Sequence, residues 1–189
     1  MLDNRRSLAI GIPLPALRDA GTLLASARGV RRSILRYAED YPLLAEIAGT
    51  LVKLESEQER LRRAIDEAGE VRDSASRELA RLRREIRGAR QRIVERLEAY
   101  VATLPDRVRV ADASISVREG RYVIPVRREG RGEVGGIVHD ESASGGTLFV
   151  EPPVAIEMMN RLRELELAEA REVQRILREL TDRLRPHSE

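Results

Sequence analysis

Cysteine and tryptophan are absent from this 189-residue chain, and histidine occurs only at His139 and His187. The missing thiols exclude disulfide bonds, thiolate zinc sites and cysteine nucleophiles. Two histidines are few for a histidine-based metal site, so we expect no metal centre and no cofactor in the chain. No apolar run approaches the roughly 18 residues that span a bilayer, and residues 1–13 lack the apolar core of a secretory signal. We therefore expect a cytoplasmic protein that makes no membrane contact.

Lysine is nearly as scarce, because every basic residue except Lys53 is arginine. A P-loop needs a glycine-rich turn that ends in Gly-Lys followed by Ser or Thr, whereas Lys53 lies in the segment LVKLE. The chain therefore cannot hold an intact P-loop. Aromatic residues make up 3% of the chain, too few for the base-stacking surfaces of RRM and OB modules. Any contact with nucleic acid would have to depend on phosphates.

Apolar residues at helical spacing dominate the first third of the chain. They predict one helix over about 14–38, despite two internal glycines. After Pro42 a heptad-like apolar stripe runs from Leu44 to Ile65, interrupted by Gln58. This stripe predicts continuous helical packing up to a break near Gly69.

Two longer helices with narrow apolar stripes are predicted over 77–103 and 153–184. Ser76 or Asp73 can accept the free amide hydrogens at the start of the first of these helices. A narrow stripe needs a partner along its whole length, so we expect the two helices to pack against each other in antiparallel fashion.

Between these helices the apolar period changes from helical spacing to two, which is typical of strands. Glu119 and Gly120 form a turn signal between two alternating segments, and glycines mark the later turns. Pro125 cannot donate a ladder hydrogen bond, which predicts that its strand lies at a sheet edge or that its amide lies at a bulge. The predicted strands are 115–117, 122–126, 137–138 and 148–150.

The predicted fold class is therefore mainly α with a small antiparallel β insertion, an α+β arrangement. Long antiparallel helices would carry the small sheet at their tip. We divide the chain into a partial helical core (1–73), a first long helix (74–104), the β insertion (105–152) and a returning helix (153–189).

Positive charge is unevenly distributed over this arrangement. Residues 77–96 contain eight arginines and three acidic residues, whereas 157–182 contains five arginines and seven acidic residues, so the two helices can pair. The segment 107–131 holds seven arginines against three acidic residues and keeps an excess. Within it, RREGRGE (127–133) presents arginine forks that suit phosphate oxygens, although a solvated loop explains the composition equally well.

The segment HDESASGG (139–146) contains the residue types of a serine hydrolase. Neighbours in one loop rarely converge as a catalytic triad, and no GxSxG motif is present, so the spacing argues against catalysis. A tight turn in which Asp140 and the serines cap backbone amides explains the segment better. An anion-binding nest over 144–147 is a further alternative.

Several motifs together resemble the second bacterial MutS family (MutS-II). They are EGRYVIPVRREGRGEVGGIVHDESASGGTLFVEP (119–152), RLRELELAEAREVQRIL (161–177) and GEVRDSASREL (69–79). The resemblance covers roughly 42–184, and GIVHDESASGGTLFVEP (136–152) is its most specific part. It implies an internal piece of a longer protein: part of the core, the lever helices, and a clamp inserted between them.

The resemblance also implies activities that lie outside this chain. These are ATP hydrolysis with magnesium, a C-terminal Smr endonuclease domain, suppression of homologous recombination, and rescue of collided ribosomes in some bacteria. The parent protein is expected to be a homodimer. The family lacks the mismatch-reading domain, and the chain shows no aromatic wedge, so we do not expect mismatch recognition.

The sequence therefore predicts a non-catalytic lever and clamp segment that binds duplex or branched DNA through backbone phosphates, without metal ligands or catalytic residues. An alternative is a module that dimerises the parent protein or contacts the ribosome and its rRNA, and an esterase at Ser142 or Ser144 is a distant third. The charge distribution gives the candidate nucleic-acid contacts Arg118, Arg121, Arg127, Arg128 and Arg131.

Overall fold

The chain folds into two compact units, as seen in a computed structural model that describes residues 12–51, 53–111 and 114–187. Unit 1 comprises Met1–Arg81 and Ala170–Glu189, and unit 2 comprises Leu82–Glu169. The two longest helices, α4 (Arg77–Thr103) and α6 (Pro153–Leu184), contribute residues to both units. No helix within the described ranges is long and apolar enough to cross a membrane.

Unit 1 begins with three helices: α1 (Leu14–Leu35), α2 (Pro42–Gly49) and α3 (Glu55–Ala64). Both α1 and α2 have a proline in the first turn, where the missing amide hydrogen would have no partner and the fixed φ suits a helix. Helix α1 confirms the helix predicted over 14–38, although it ends three residues earlier.

The apolar stripe from Leu44 to Ile65 does not form one continuous helix, so this prediction is wrong. Helix α2 ends at Gly49, and the hydroxyl of Thr50 donates to the carbonyl of Ile47 at 2.7 Å. Leu44 and Ile47 are exposed, whereas Leu61 and Ile65 are buried. The two halves of the stripe therefore belong to different packing environments, which the spacing alone cannot distinguish.

The core of unit 1 joins residues from both ends of the unit. Ser76 begins α4 (Arg77–Thr103), since its hydroxyl accepts the amide hydrogen of Leu79 at 2.9 Å and also donates to Glu172 on α6 (Pro153–Leu184) at 2.6 Å. Of the two predicted capping residues, Ser76 is thus the one that caps the helix. The buried apolar cluster consists of Leu17, Leu61, Ala64, Ile65, Val71, Leu79, Ile176, Leu177 and Leu180.

In unit 2 the segments 82–103 of α4 and 153–169 of α6 pack against each other in opposite directions. Arg83 pairs with Glu169 at 2.7 Å. Arg90 lies about two turns further along α4 and pairs with Glu166, which precedes Glu169 on α6, at 2.9 Å. The predicted stripes meet in the buried cluster of Leu82, Ile86, Ala89, Ile93 and Leu97 with Ala155, Met159, Leu162 and Leu165. The predicted helix bounds and antiparallel packing are confirmed.

The rest of unit 2 is built around one antiparallel sheet of four strands, in the order β1-β2-β4-β3. Its inner face adds residues such as Ile124, Val126 and Val150 to the same apolar cluster. This confirms the predicted fold class, mainly α with a small antiparallel sheet. The strands are β1 (Ser116–Arg118), β2 (Arg121–Arg127), β3 (Ile137–Glu141) and β4 (Thr147–Glu151).

Strand β2, which carries Pro125, lies inside the sheet and not at its edge, and the irregular register lies in β3 around His139. Pro125 pairs with Phe149 on β4, while the ladder with β1 ends at Val123. Because the amide of alternate residues faces alternate neighbours, the nitrogen of Pro125 faces the side on which β1 has already ended. On that side Val126 forms an isolated bridge with Arg109, and the amide of Arg127 donates to the carbonyl of Val108 at 2.8 Å. The missing donor therefore costs no hydrogen bond with β1 or β4.

The segment RREGRGE (127–133) is not a loop: Arg127 ends β2, and the residues that follow form two short helical turns. A 3-10 turn at Arg128–Gly130 leads directly into α5 (Arg131–Val134). Gly130 is buried, and a Cβ atom there would lie 2.9 Å from the Cα of Val108. Here the glycine permits close packing of two backbones.

Candidate nucleic-acid interface

Two of the predicted arginines leave β2 from the same face of the sheet. Side chains alternate along a strand, so Arg121 and Arg127 lie opposite Ile124 and Val126, which are buried in the core. Arg118 on β1 pairs directly with Arg121 and shares its face. We call the side of the sheet that carries these three arginines the arginine face. Between Arg121 and Arg127 this face also carries Val123 and Pro125, which are buried.

Arg118 lies between a carboxylate and a ring. Its Nε donates to Oδ2 of Asp140 at 2.9 Å, and its guanidinium carbon lies 4.4 Å from the centroid of the Phe149 ring. This stacking orients the guanidinium plane, and about a third of the side chain is exposed. Its charge is partly neutralised by Asp140.

Arg121 is the most enclosed of the predicted arginines that form ion pairs. Its Nε donates to Oε2 of Glu151 at 2.9 Å, and its terminal nitrogen donates to Oε1 of the same carboxylate. The terminal nitrogen also donates to Oδ1 of Asn160, at 3.0 Å. Glu151 is fully buried, and Nε2 of His139 lies 2.7 Å from the same Oε2. The geometry makes Arg121 a structural partner of a buried carboxylate.

Arg127 and Arg128 lie where β2 ends, beside the turn that joins β3 to β4. Arg127 is exposed and donates from Nε to the carbonyl of Arg109 at 2.9 Å, and no carboxylate among the described residues pairs with it. Arg128 donates to the carbonyl of Gly145 and to Oε2 of Glu141, with half of its side chain exposed. A carbonyl orients a guanidinium without cancelling its charge, so Arg127 keeps its full charge at the surface.

Arg131 begins α5 and is half-buried. It donates to the carbonyl of Gly136 at 2.8 Å, which ties α5 to the start of β3. In the described residues it makes no ion pair. Its side chain combines a retained charge with a structural contact, so its replacement would also disturb the turn that precedes β3.

The HDESASGG segment forms a tight turn between β3 and β4. The hydroxyl of Ser142 accepts the amide hydrogen of Thr147 at 3.0 Å, Oδ1 of Asp140 accepts that of Glu141 at 2.8 Å, and Gly145 has a φ of +69°. His139 faces Glu151 and not a serine hydroxyl, so no triad is assembled here.

The anion-nest alternative loses two of its donors in this turn. The amides of Gly145 and Thr147 both donate to Ser142. The tight turn predicted from the composition is the arrangement that the structure shows.

Sequence reasoning missed the carboxylates that pair with the predicted arginines. Asp140, Glu141 and Glu151 each pair with one of the predicted arginines. Alternation along β4 could have placed Glu151 on the same face as Phe149, but only the strand order β1-β2-β4-β3 brings it to Arg121.

The fold and site define a class: an antiparallel helix pair with an inserted sheet that carries arginines on one face. A scan of protein-family models gave no match. The chain is 44% identical over 94% of its length to Endonuclease MutS2 of Gemmatimonas aurantiaca and 43% identical over 94% to that of Geobacillus thermodenitrificans. It is 46% identical over 85% of its length to Endonuclease MutS2 of Thermomicrobium roseum.

These relatives confirm the family that the sequence motifs indicate: the chain is homologous to a segment of the MutS-II proteins. It spans about a quarter or less of their length, namely 24%, 23% and 20% of the three.

Proposed function

We propose that this segment is a non-catalytic lever and clamp element that binds duplex or branched DNA through backbone phosphates. The observation that carries the proposal is the arginine face. Arg118, Arg121 and Arg127 share one side of a sheet whose other side is buried, and Arg128 adjoins it at the end of β2. Such a fixed array suits the regular phosphates of a duplex better than a base-reading contact.

The ion pairs on this face rank the five predicted contacts. Arg127 and Arg128 combine exposure with carbonyl partners, so they can turn to a phosphate without leaving a buried carboxylate unpaired. Arg118 can exchange the exposed Asp140 for a phosphate. Arg121 and Arg131 hold the sheet and α5 in place, and we assign them mainly a positioning role.

The parent protein would couple this contact to distant domains. We propose that α4 and α6 act as the lever between the sheet and an ATPase and nuclease outside this segment, in suppression of homologous recombination. The family resemblance supports this role, and the relatives' name, Endonuclease MutS2, supports the nuclease. Ion pairs such as those of Arg83 with Glu169 and Arg90 with Glu166 support the rigidity that a lever needs within unit 2.

The alternative function is assembly of the parent protein, or contact with the ribosome during rescue of collided ribosomes. One observation favours an assembly surface: Tyr41, Leu43, Leu44 and Ile47, at the start of α2 and along it, are exposed in unit 1. Clustered exposed apolar side chains of this kind are typical of protein interfaces.

Binding of the purified chain to three ligands tests the proposal: a DNA duplex, a four-way DNA junction and a fragment of ribosomal RNA. Light scattering gives the mass of the chain at the same concentrations. We expect DNA binding that does not depend on base sequence and is strongest for the duplex or the junction. A stable dimer indifferent to DNA, or a preference for the RNA, would favour the alternative and contradict the proposal.

A further inference from the structure

Four arginines and the one lysine of the chain line a cavity in unit 1. The cavity has a volume of about 420 Å³ and lies between α1 and the start of α3. Its basic residues are Arg28, Arg31, Arg32, Arg36 and Lys53. This group, which we call the α1 cation cluster, plays no part in the function proposed for the sheet.

Three of the five arginines predicted to contact nucleic acid form ion pairs with carboxylates, whereas the α1 cation cluster is not neutralised. No ion pair or side-chain hydrogen bond joins any of its members to another described residue, and Nε of Arg31 is buried without a partner. Glu55 is the one carboxylate among the described lining residues, so the lining carries five positive charges against one negative charge. Like charges four residues apart on a helix, such as those of Arg28 and Arg32, repel each other, and a bound anion would offset this repulsion.

The start of α3 adds further donors at the edge of this cavity. Leu54 and Glu55 line the cavity, and the N-terminus of α3, whose first turn contains Glu55 and Glu57, has no side-chain cap. The first amide hydrogens of a helix have no partner within it, and together with the helix dipole they favour an anion. The free amide hydrogens of α3 therefore add to the positive potential that the cations of α1 create.

The shape of the cavity favours a small ligand over a nucleic-acid duplex. Arg28 and Arg32 on α1, and Arg36 directly after its last residue, follow each other at four-residue intervals, about 6 Å apart along the helix axis. Leu24, Leu35 and Leu54 form an apolar part of the wall. Cations therefore line one part of this concave site, and leucines line another. Such a site suits a ligand that is charged at one end and apolar at the other.

We propose that this cavity binds a small anion of nucleotide size that carries two or more phosphates beside an apolar group. Arg28, Arg32 and Arg36 contact the phosphates from the surface, and Arg31 donates its buried Nε. The leucines contact the apolar part. Arginine suits this task because its planar fork can hold two phosphate oxygens at once.

Isothermal titration of the whole chain with ADP, pyrophosphate and adenosine tests this site, without added metal ions. The double variant Arg28→Gln/Arg32→Gln removes two exposed charges, and glutamine favours a helix nearly as well as arginine. The matched control is Arg62→Gln/Arg63→Gln, which removes two exposed arginines that pair with Glu59 on α3. Circular dichroism checks that all three proteins have the same helix content.

We expect ADP and pyrophosphate to bind the unaltered chain, ADP more tightly, and adenosine not to bind. The Arg28→Gln/Arg32→Gln variant should weaken ADP binding about tenfold or more, as expected for the loss of charge-assisted hydrogen bonds. The Arg62→Gln/Arg63→Gln control should bind as the unaltered chain does. Absence of ADP and pyrophosphate binding, an equal loss in both variants, or binding of a 12-nucleotide single strand but not of ADP would each overturn the proposal.

Discussion

The guanidinium of Arg121 donates to Oε2 of Glu151 at 2.9 Å, and Glu151 has no exposed surface. His139 reaches the same oxygen from β3, so one buried carboxylate joins side chains of β2, β3 and β4. A buried carboxylate is tolerated only when it is paired and hydrogen-bonded. The three contacts of Glu151 therefore hold the sheet together beneath the arginine face.

Replacement of Glu151 by glutamine should destabilise the chain strongly, because it leaves the charge of Arg121 without its partner. We expect the free energy of unfolding to fall by about 3 kcal/mol, in the range for a broken buried pair. Urea denaturation measures this loss. As a control, Glu141→Gln breaks the exposed pair with Arg128 and should cost less than about 1 kcal/mol. Equal losses of stability in the two variants would show that the contacts of Glu151 do not hold the sheet together.

Gly136 should not tolerate a side chain, whereas Gly132 should. A Cβ atom at Gly136 would lie 2.1 Å from the carbonyl oxygen of Glu151, and the φ of +81° is strained for other residues. Gly136→Ala should cost more than about 2 kcal/mol in urea denaturation. Gly132 lies in α5 with no atom within 4 Å of its would-be Cβ. Gly132→Ala should be neutral or mildly stabilising, and a loss as large as that of Gly136→Ala would refute this comparison.

The turn between β1 and β2 contains a correctable strain. Glu119 has a φ of +50° and Gly120 a φ of +76°, the pattern of a type I′ turn, in which asparagine is preferred to glutamate at the first position. Glu119→Asn should therefore raise the free energy of unfolding by about 0.5 kcal/mol. Thermal unfolding of the variant beside Gly120→Ala, which should lose stability, measures this effect. A destabilised Glu119→Asn variant would mean that the 4.0 Å contact of Glu119 with His139 outweighs the backbone strain.

Glu172 should make the stability of the chain depend on acid. Hydrogen bonds from Arg175 and Ser76 lower the pKa of its carboxyl from 4.5 to about 2, against the opposing effect of burial. A carboxyl with a lowered pKa in the folded state stabilises the protein above its ordinary pKa and loses that contribution as the pH falls. The loss should therefore occur between about pH 5 and pH 2.

The variant Glu172→Gln should lose about 1 kcal/mol of stability at pH 7 and show a flatter decline between pH 5 and 2. Urea denaturation at a series of pH values measures both. The unaltered chain and the variant should approach each other in stability at the lowest pH. Parallel curves across the whole range would exclude this role for Glu172.

A helix was predictable from the sequence where its apolar stripe packs against one partner helix. The stripes of α4 and α6 gave their bounds and their antiparallel packing, since both stripes enter one buried cluster in unit 2. The stripe from Leu44 to Ile65 failed because its first half stays exposed, and spacing does not report exposure. Alternation likewise located all four strands but not their order.

The candidate site was predictable in composition but not in pairing. The sequence shows an excess of arginine in 107–131, but Arg121 and Glu151 are 30 positions apart and meet only through the pairing of β2 with β4. The α1 cation cluster was missed for the converse reason. Its arginines are evident in the sequence between positions 28 and 36, but only the tertiary structure shows that no described carboxylate forms an ion pair with them.

The arginine face should bind DNA through phosphates, and the salt dependence of affinity measures this most directly. If about four phosphates are contacted, log K should fall against log salt with a slope near −3.6, at about −0.9 per contact. The double variant Arg127→Gln/Arg128→Gln should reduce the slope by about two units, and addition of Arg131→Ala by up to about three.

The decisive measurement is this slope for the double variant beside a matched control, Arg161→Gln/Arg163→Gln. The control removes two exposed arginines of α6 in the same unit. The account predicts a flatter slope for the Arg127→Gln/Arg128→Gln variant and an unchanged slope for the control. An unchanged slope in both, or an equal reduction in both, would contradict the assignment of DNA binding to the arginine face.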